Sequence, residues 1–163
     1  MSYPGPNVSG MASWHEIEKD APAFAERVKA LFDAGTNKTI ATLRRDGSPR
    51  ISANEAKFDN GELTFGMMAG SMKLRDVRRD PRLAMHAPTL EPPADNPSAG
   101  PGDAKLAGVA VEIEPPADWP HGEAGLFRID IHEVVLTYVG VPADHLVIES
   151  WHTGRGHTRR TRT

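Results

Sequence analysis

The sequence predicts a mainly β protein, an antiparallel β-barrel with helices at its periphery. Short β-branched segments alternate with tight turns over most of the chain. Two strong turn signals, Asp46-Gly47 and Asp59-Asn60-Gly61, join three successive segments into a meander. One helical pattern precedes the strands and a second, shorter one interrupts them. Because most connections are hairpins, an antiparallel barrel is favoured over a parallel sheet.

The chain before the first strand is predicted to contain one helix, from Asp20 to Ala34. Asp20 can cap this helix, Pro22 is tolerated in its first turn, and Gly35 can end it. Its apolar face is formed at helical spacing by Phe24, Val28, Leu31 and Phe32. Residues 1–12 are rich in Gly, Pro and Ser, so we expect them to be disordered.

The rest of the chain is predicted to form seven strands and one short helix. The strands are Thr39–Arg45, Pro49–Phe58, Glu62–Met68, Arg82–Pro88, Ala104–Glu114, Phe127–Gly140 (a long strand or a bent pair) and Leu146–Trp151. Ser71 can cap the short helix, and Pro81 ends it. The Pro-rich residues 88–103 are expected to be a surface loop. We therefore predict one domain over 13–159 and a disordered end over 160–163.

Composition excludes several classes of protein. The chain has 163 residues and a formal net charge of −3, which argues against general nucleic-acid binding. It has no cysteine, so disulfides, thiolate metal sites and cysteine nucleophiles are excluded. Neither a secretory signal nor an apolar stretch near the ~20 residues of a membrane span is present. We expect a cytoplasmic protein that binds neither membranes nor nucleic acid.

The start of the short helix is a candidate anion site. Gly70-Ser71-Met72-Lys73 combines a hydroxyl, free backbone N–H groups and an ammonium at a helix N-terminus, which together favour a phosphate. Arg75, Arg78 and Arg79 extend the positive potential. The alternative is a solvated helix whose arginines pair locally with aspartates.

Two further basic elements are candidates for the same site. Arg50, at the start of the second strand, can add a bidentate guanidinium to a phosphate, or it can be an ordinary surface arginine. In the tail, Trp151 can pack on a flat ring, while Arg155, His157 and Arg159 alternate onto one side if the chain is extended. A solvated basic end is the alternative.

The sequence contains no recognisable catalytic motif. The histidines lack metal-ligand spacing, and there is no nucleophilic serine motif, Walker loop or Gly-x-Gly-x-x-Gly. The residues that would carry the chemistry are therefore unknown, and we expect no metal. If the protein is an enzyme, a bound cofactor carries the chemistry.

The order of these pieces resembles the pyridoxamine 5'-phosphate oxidase-like split-barrel family of flavin-binding proteins. The likeness is clearest in the run TIATLRRDGSPRISANEAKFDNGELTFGMMAGSMKLRDVRRDPRLAMHA, which has a strand, an Asp-Gly-x-Pro turn, two strands, a Ser-x-Lys helix and an Arg-x-Asp-Pro stop. The ending IESWHTGRGHTRR is similar to the family's last strand, tryptophan and arginine-containing tail.

The resemblance implies a homodimer of split barrels with FMN at the subunit interface. By position it assigns phosphate contacts to Arg50, Ser71 and Lys73, and it places Gly66, Met67 and Met68 beside the cofactor. It also implies that Trp151 and Arg159 reach the cofactor and that Arg155 and His157 face a small-molecule substrate.

The sequence departs from the vitamin-processing oxidases at two points. Met72 stands where their Ser-Arg-Lys has an arginine, and Ala53-Asn54-Glu55-Ala56 replaces a lysine-containing stretch. An FMN-dependent oxidoreductase with another, unidentified substrate is therefore expected. A deazaflavin-dependent reductase and a non-catalytic flavin- or haem-binding protein stay open as alternatives.

Overall fold

The computed structural model describes residues 10–163, which form an antiparallel barrel with three α-helices around it. The helices are α1 (Trp14–Asp20), α2 (Pro22–Asp33) and α3 (Met72–Arg79). The strands are β1 (Asn37–Leu43), β2 (Pro49–Asp59), β3 (Glu62–Met67), β4 (Arg82–His86), β5 (Asp103–Glu112), β6 (Gly125–Val139), β7 (Leu146–His152) and β8 (Gly156–Arg162). Residues 1–9, within the predicted disordered N-terminus, lie outside the described part.

The strands form one sheet in the order β3-β2-β1-β4-β5-β6-β7-β8, and pairing of β3 with β6 closes the first six into a barrel. The long strand β6 pairs with different strands in its first and last parts. Its first residues, Gly125–Arg128, pair with β3, whereas Glu133–Val139 pair with β7. A register shift opposite Ala107 and Gly108 bends the strand between these two parts. A Cβ at Gly108 would overlap the Asp130 carbonyl, so this close approach requires glycine.

The predicted β-meander and Ser71-capped helix are confirmed. Asn60 and Gly61 both have positive φ (48° and 76°), which is the geometry of a tight hairpin turn between β2 and β3. Ser71 caps α3 by accepting a hydrogen bond from the Leu74 amide at 3.3 Å. Leu74 and Val77 on the next turns are buried in the core.

The helix predicted from Asp20 to Ala34 is confirmed as α2 (Pro22–Asp33), with its predicted apolar face buried. The predicted cap at Asp20 is wrong, and a further helix that was not predicted, α1, precedes α2. Ser13 and Glu16 form a capping box that starts α1. Ala21 leaves helical geometry (φ −141°) and becomes the N-cap of α2, with Pro22 in its first turn. Asp20 therefore caps nothing, and its carboxylate accepts a hydrogen bond from the Trp151 indole N–H at 2.7 Å.

Both predicted disordered segments are corrected where the structure describes them. Ala12 exchanges two backbone hydrogen bonds of 2.8 Å with Ile131 and is buried. Arg160 to Arg162 belong to β8, which pairs with β7 along its whole length. The turn before β8 uses Gly154 at φ 77°. Backbone pairing needs no apolar side chain, so the basic composition of the tail does not prevent a strand.

A buried carboxylate holds α2 and β8 to β7. Glu149 is 6% exposed and accepts hydrogen bonds from Arg27 Nη1 and the Tyr138 hydroxyl, both at 2.7 Å. His157 Nε2 lies 2.8 Å from its other oxygen. Burial alone would raise the pKa of the Glu149 carboxyl, but hydrogen bonds from Tyr138, Arg27 and His157 outweigh burial and lower it.

Glu149→Gln should therefore destabilise the fold by about 1–3 kcal/mol near pH 7. A lowered folded-state pKa means that the charge contributes stability above the pKa of the unfolded chain, and this contribution is lost as pH falls through the folded-state pKa. The gap between wild type and variant in urea-unfolding free energy should narrow on acidification. Glu133→Gln is the control: the Glu133 side chain is 37% exposed and lies 3.6 Å from His152, so its replacement should change stability little. A gap independent of pH would contradict this account.

Candidate functional site

A cleft of about 780 Å³ lies on the barrel beside the middle of β2, the end of β3 and the start of α3. The loop between β5 and β6, residues 113–124, forms its remaining wall. The lining residues are Thr36, Asn37, Ala53, Asn54, Glu55, Ala56, Lys57, Thr64, Phe65, Gly66, Met67, Met68, Ala69, Lys73, Trp119, His121, Ala124 and Leu126. Its volume lies within the range of small-molecule and cofactor sites.

Lys73 supplies a cation to this cleft from the first turn of α3. Its ammonium donates a 2.8 Å hydrogen bond to the Ala53 carbonyl, and no carboxylate within the described part of the chain forms an ion pair with it. Burial lowers the pKa of this ammonium. A partly desolvated ammonium bonded to a neutral carbonyl keeps donors for an anion.

Ser71 caps the helix at the same end of the cleft but does not line the cleft. Its hydroxyl accepts from the Leu74 amide, so its oxygen is used as a helix cap. In an α-helix the N–H groups of the first two residues, here Met72 and Lys73, have no intrahelical acceptor. The donor set at this end is thus two amides and an ammonium, which fits a phosphate.

Arg50 lies beside α3, where its Nε–H donates a hydrogen bond to a buried aspartate. The Nε–H donates to Asp76 Oδ2 at 2.6 Å, and Arg79 donates to Asp76 Oδ1 at 2.9 Å. The Thr42 hydroxyl donates to the same carboxylate at 3.3 Å. Burial alone would raise the pKa of the Asp76 carboxyl, but hydrogen bonds from Arg50 and Arg79 outweigh burial and lower it. Arg50 does not line the cleft.

The arginines that follow Lys73 are mostly committed elsewhere. Arg78 pairs with Glu112 at 2.6 Å, and Arg79 binds both Asp76 and the Leu43 carbonyl. The local pairing expected in the solvated-helix alternative is thus partly correct, although the partners lie on other elements as well as on the helix. Their charge adds little to the cleft.

Gly66, Met67 and Met68 line the cleft at the end of β3. Met67 is buried in the core, whereas Met68 is 78% exposed. The Gly66 carbonyl accepts a 3.2 Å hydrogen bond from the Asn54 amide, which fixes the strand end against β2. This part of the site therefore offers an apolar surface of backbone and thioether atoms.

Glu55 places an acidic group on the cleft. Its backbone pairs with Asn37, next to Lys38, whose ammonium is buried. Burial lowers the pKa of the Lys38 ammonium, against opposing effects of Asp33 and Glu55. The interaction with Lys38 partly offsets the negative charge of Glu55.

Sequence reasoning missed two aromatic residues of the β5–β6 loop that line the cleft. The Trp119 and His121 rings meet edge to face with centroids 4.7 Å apart. The Trp119 indole N–H is buried and has no acceptor among the described residues. Leaving such a donor unpaired costs about 1–3 kcal/mol. The only sequence signal was one tryptophan and one histidine in a Pro-containing loop, which is too weak to identify a site.

The four tail residues predicted for the site do not reach this cleft within one chain. Trp151 is 5% exposed and packs in the core, where its indole N–H is bound to Asp20, so it offers no free ring face. His157 binds Glu149 and packs on Phe24 with ring centroids 4.8 Å apart. Arg155 and Arg159 are exposed on the β7–β8 hairpin. This hairpin joins the half of β6 that is remote from the cleft.

Residues 10–163 contain neither a metal-binding cluster nor a membrane-spanning helix. No group of three or more His, Cys, Asp or Glu side chains there could hold a metal ion. No helix there is long and apolar enough to cross a membrane.

The fold is similar to that of several solved structures. PhzG from Burkholderia lata 383, in complex with tetrahydrophenazine-1-carboxylic acid, is 11% identical, with a TM-score of 0.61 over 100% of this chain and 98% of that one. A pyridoxamine 5'-phosphate oxidase-related, FMN-binding protein from Nostoc punctiforme is 12% identical, with a TM-score of 0.59 over 88% and 96%. HutZ, the haem storage protein of Vibrio cholerae, is 12% identical, with a TM-score of 0.54 over 72% and 94%.

These likenesses establish the fold: the chain is a split barrel of the pyridoxamine 5'-phosphate oxidase-like type. No protein-family model matches the chain, and no curated protein matches it. Proteins of this fold include flavin-binding and haem-binding members, so the fold alone does not fix the activity.

Proposed function

We propose that this split barrel binds FMN in the cleft beside α3 and acts as a flavin-dependent oxidoreductase on a small molecule. The observation that carries the proposal is the ammonium of Lys73, which stands without a carboxylate partner in the described chain at one end of a largely apolar cleft. A planar ring with a phosphate arm matches an apolar wall that has one cationic end.

The residues present fit FMN in their chemistry. Lys73, with the amides at the start of α3, would hold the phosphate, and Gly66 and Met68 would lie along the ring system. Arg50, oriented by Asp76, would add charge near the same helix end. Bound FMN supplies hydride and single-electron transfer through its ring. The chain's own residues bind it, orient it and exclude water.

The absorption spectrum of the protein, purified and then titrated with FMN, tests this proposal. We expect saturable binding with the visible bands of flavin, followed by bleaching with a nicotinamide cofactor and recovery in air. Bound flavin that no nicotinamide reduces would favour a binding protein without turnover. A deazaflavin spectrum or a haem Soret band from the purified protein would show that the deazaflavin or haem, and not FMN, is the cofactor. The commitment of Arg78 and Arg79 to other partners does not favour the more acidic deazaflavin coenzyme.

We also propose that the protein is a homodimer that packs through the outer face of the barrel. Ile51, Ala41, Ala84 and Ala107 pair in one row across four strands, and Ile51 is 73% exposed. Such a row of apolar side chains on the outer face is suited to contact with a second copy. Arg155 and Arg159 do not reach the cleft of their own chain. In a dimer, these exposed side chains would contribute to the cleft of the second copy.

Ile51→Lys is expected to shift the protein from dimer to monomer in sedimentation equilibrium, because it introduces a charge into the apolar row. Val141→Lys is the matched control, since Val141 is 83% exposed on the loop after β6 and lies outside the row. If wild type sediments as a monomer, or if both variants stay dimeric, this face is not the interface.

A further inference from the structure

The three tryptophans of the chain differ in what their indole N–H groups do. Trp14 donates to Glu18 at 3.0 Å, and Trp151 donates to Asp20 at 2.7 Å. Both are core residues. The N–H of Trp119 is equally buried, yet it has no acceptor in the part of the chain that the structure describes. Buried donors are nearly always paired, so this group requires an explanation.

Trp119 lines the cleft beside the end of β3. The edge of its six-membered ring is 3.7 Å from the position that a Cβ on Gly66 would occupy, so the indole covers the end of β3. His121 packs edge to face against it and also lines the cleft. The indole thus stands between the cleft floor and the β5–β6 loop.

The loop that carries Trp119 is tied mainly to itself. Its backbone hydrogen bonds join Trp119 to Pro116 at 2.9 Å and Ala124 to His121 at 3.1 Å. At its base the Ile113 amide bonds to the Leu126 carbonyl at 2.9 Å. A segment whose bonds are local can shift without breaking the barrel ladders. A small shift is needed, because the indole nitrogen is covered in the structure as it stands.

We propose that Trp119 is a ligand-contacting residue of the cleft, whose indole N–H donates a hydrogen bond to an acceptor atom of the bound flavin ring. Flavin rings carry carbonyl oxygens and ring nitrogens that accept such bonds. The proposal rests on flavin binding in this cleft and assigns ring recognition to the β5–β6 loop. In this proposal Lys73 binds the phosphate and Trp119 binds the ring.

This division of labour can be tested with two ligands, FMN and riboflavin, which share the ring and differ in the phosphate. Trp119→Phe keeps an aromatic side chain and removes the donor, so it should weaken both ligands by a similar factor, about 3- to 10-fold. Lys73→Ala should weaken FMN and leave riboflavin nearly unchanged. Asp118→Asn, an exposed neighbour on the same loop that does not line the cleft, is the control.

The indole N–H signals in a ¹H–¹⁵N spectrum give a readout that does not depend on affinity. The indole signal that is missing from the spectrum of Trp119→Phe is assigned to Trp119. On saturation of wild type with FMN, the Trp119 signal should move downfield further than the signals of Trp14 and Trp151, whose bonds already exist. If FMN binds by absorbance while this signal stays in place, or if Trp119→Phe binds FMN as tightly as wild type, the assignment is overturned. Failure of wild type to bind FMN at all would instead overturn the proposed function.

Discussion

Replacing Lys73 by alanine is expected to weaken FMN binding by about 1–3 kcal/mol, which is the range of a hydrogen bond to a charged group. The variant loses the ammonium that lies at the α3 end of the cleft and that bonds only to the Ala53 carbonyl among the described groups. Anion binding should also relieve the cost of holding this ammonium in a partly buried place. Fluorescence titration with FMN measures the loss.

Lys57→Ala provides a matched control within the same cleft. Lys57 also lines it, but its side chain is 76% exposed and lies 3.7 Å from Asp59. If the cleft attracted FMN only by its overall positive charge, the two variants would lose similar affinity. We expect a much smaller loss for Lys57→Ala. Equal affinity of wild type and Lys73→Ala would remove Lys73 from the site, whatever the effect at Lys57.

The barrel could be predicted because its signals are local. The turn at Asn60 and Gly61 is encoded by residues that tolerate positive φ, and the strands on either side carry alternating side chains. The Ser71 cap is likewise a local bond between residues three apart. Both of these elements have causes that lie within a few residues, and sequence and structure agree on them.

The two elements that sequence reasoning missed have different causes. Both ends of α1 had local signals: Ser13 and Glu16 form a capping box at its start, and Ala21, at its end, precedes Pro22, which disfavours helical geometry in the residue before it. Strand β8 is polar throughout, so it shows no apolar alternation. It is held by backbone pairing with β7 and by the contact of His157 with Glu149. A buried carboxylate eight residues away cannot be inferred from composition.

The candidate site shows the same division. Lys73 was predicted from a helix start, the end of β3 was implied by the family resemblance, and both line the cleft. The partner of Arg50 was not predicted, because Asp76 lies 26 residues further along the chain. Nor does any local pattern show that Trp119 covers Gly66. Tertiary contacts determine which charged side chains form ion pairs within the protein and which remain available to a ligand. The spacing of residues along the sequence does not show this.

The largest effect on stability is expected at Asp76, the carboxylate that joins β2 to α3. Asp76→Ala should cost about 3–5 kcal/mol, the range for removing one partner of a buried ion pair. The variant leaves Arg50 and Arg79 facing each other without a counter-ion, and it leaves the Thr42 hydroxyl without its acceptor. Because the Arg79 side chain is 34% exposed, partial hydration should place the loss toward the lower end.

Urea unfolding over a range of pH measures this contribution and its sign. The pKa of the Asp76 carboxyl is lowered in the folded protein, since its hydrogen bonds to Arg50 and Arg79 outweigh burial. Its stabilising charge is therefore present above the pKa of the unfolded chain and is lost as pH falls through the folded-state value. The difference between wild type and Asp76→Ala should shrink in acid.

Asp80→Asn is the control for Asp76→Ala, because Asp80 caps the end of the same helix and pairs with Arg82 two residues away. A short-range, partly exposed pair of this kind contributes about 1 kcal/mol or less. Equal destabilisation by the two variants would show that the buried position of Asp76 has no special weight. If Asp76→Ala is as stable as wild type, Arg50 is not held by Asp76 and is free to bind an anion directly.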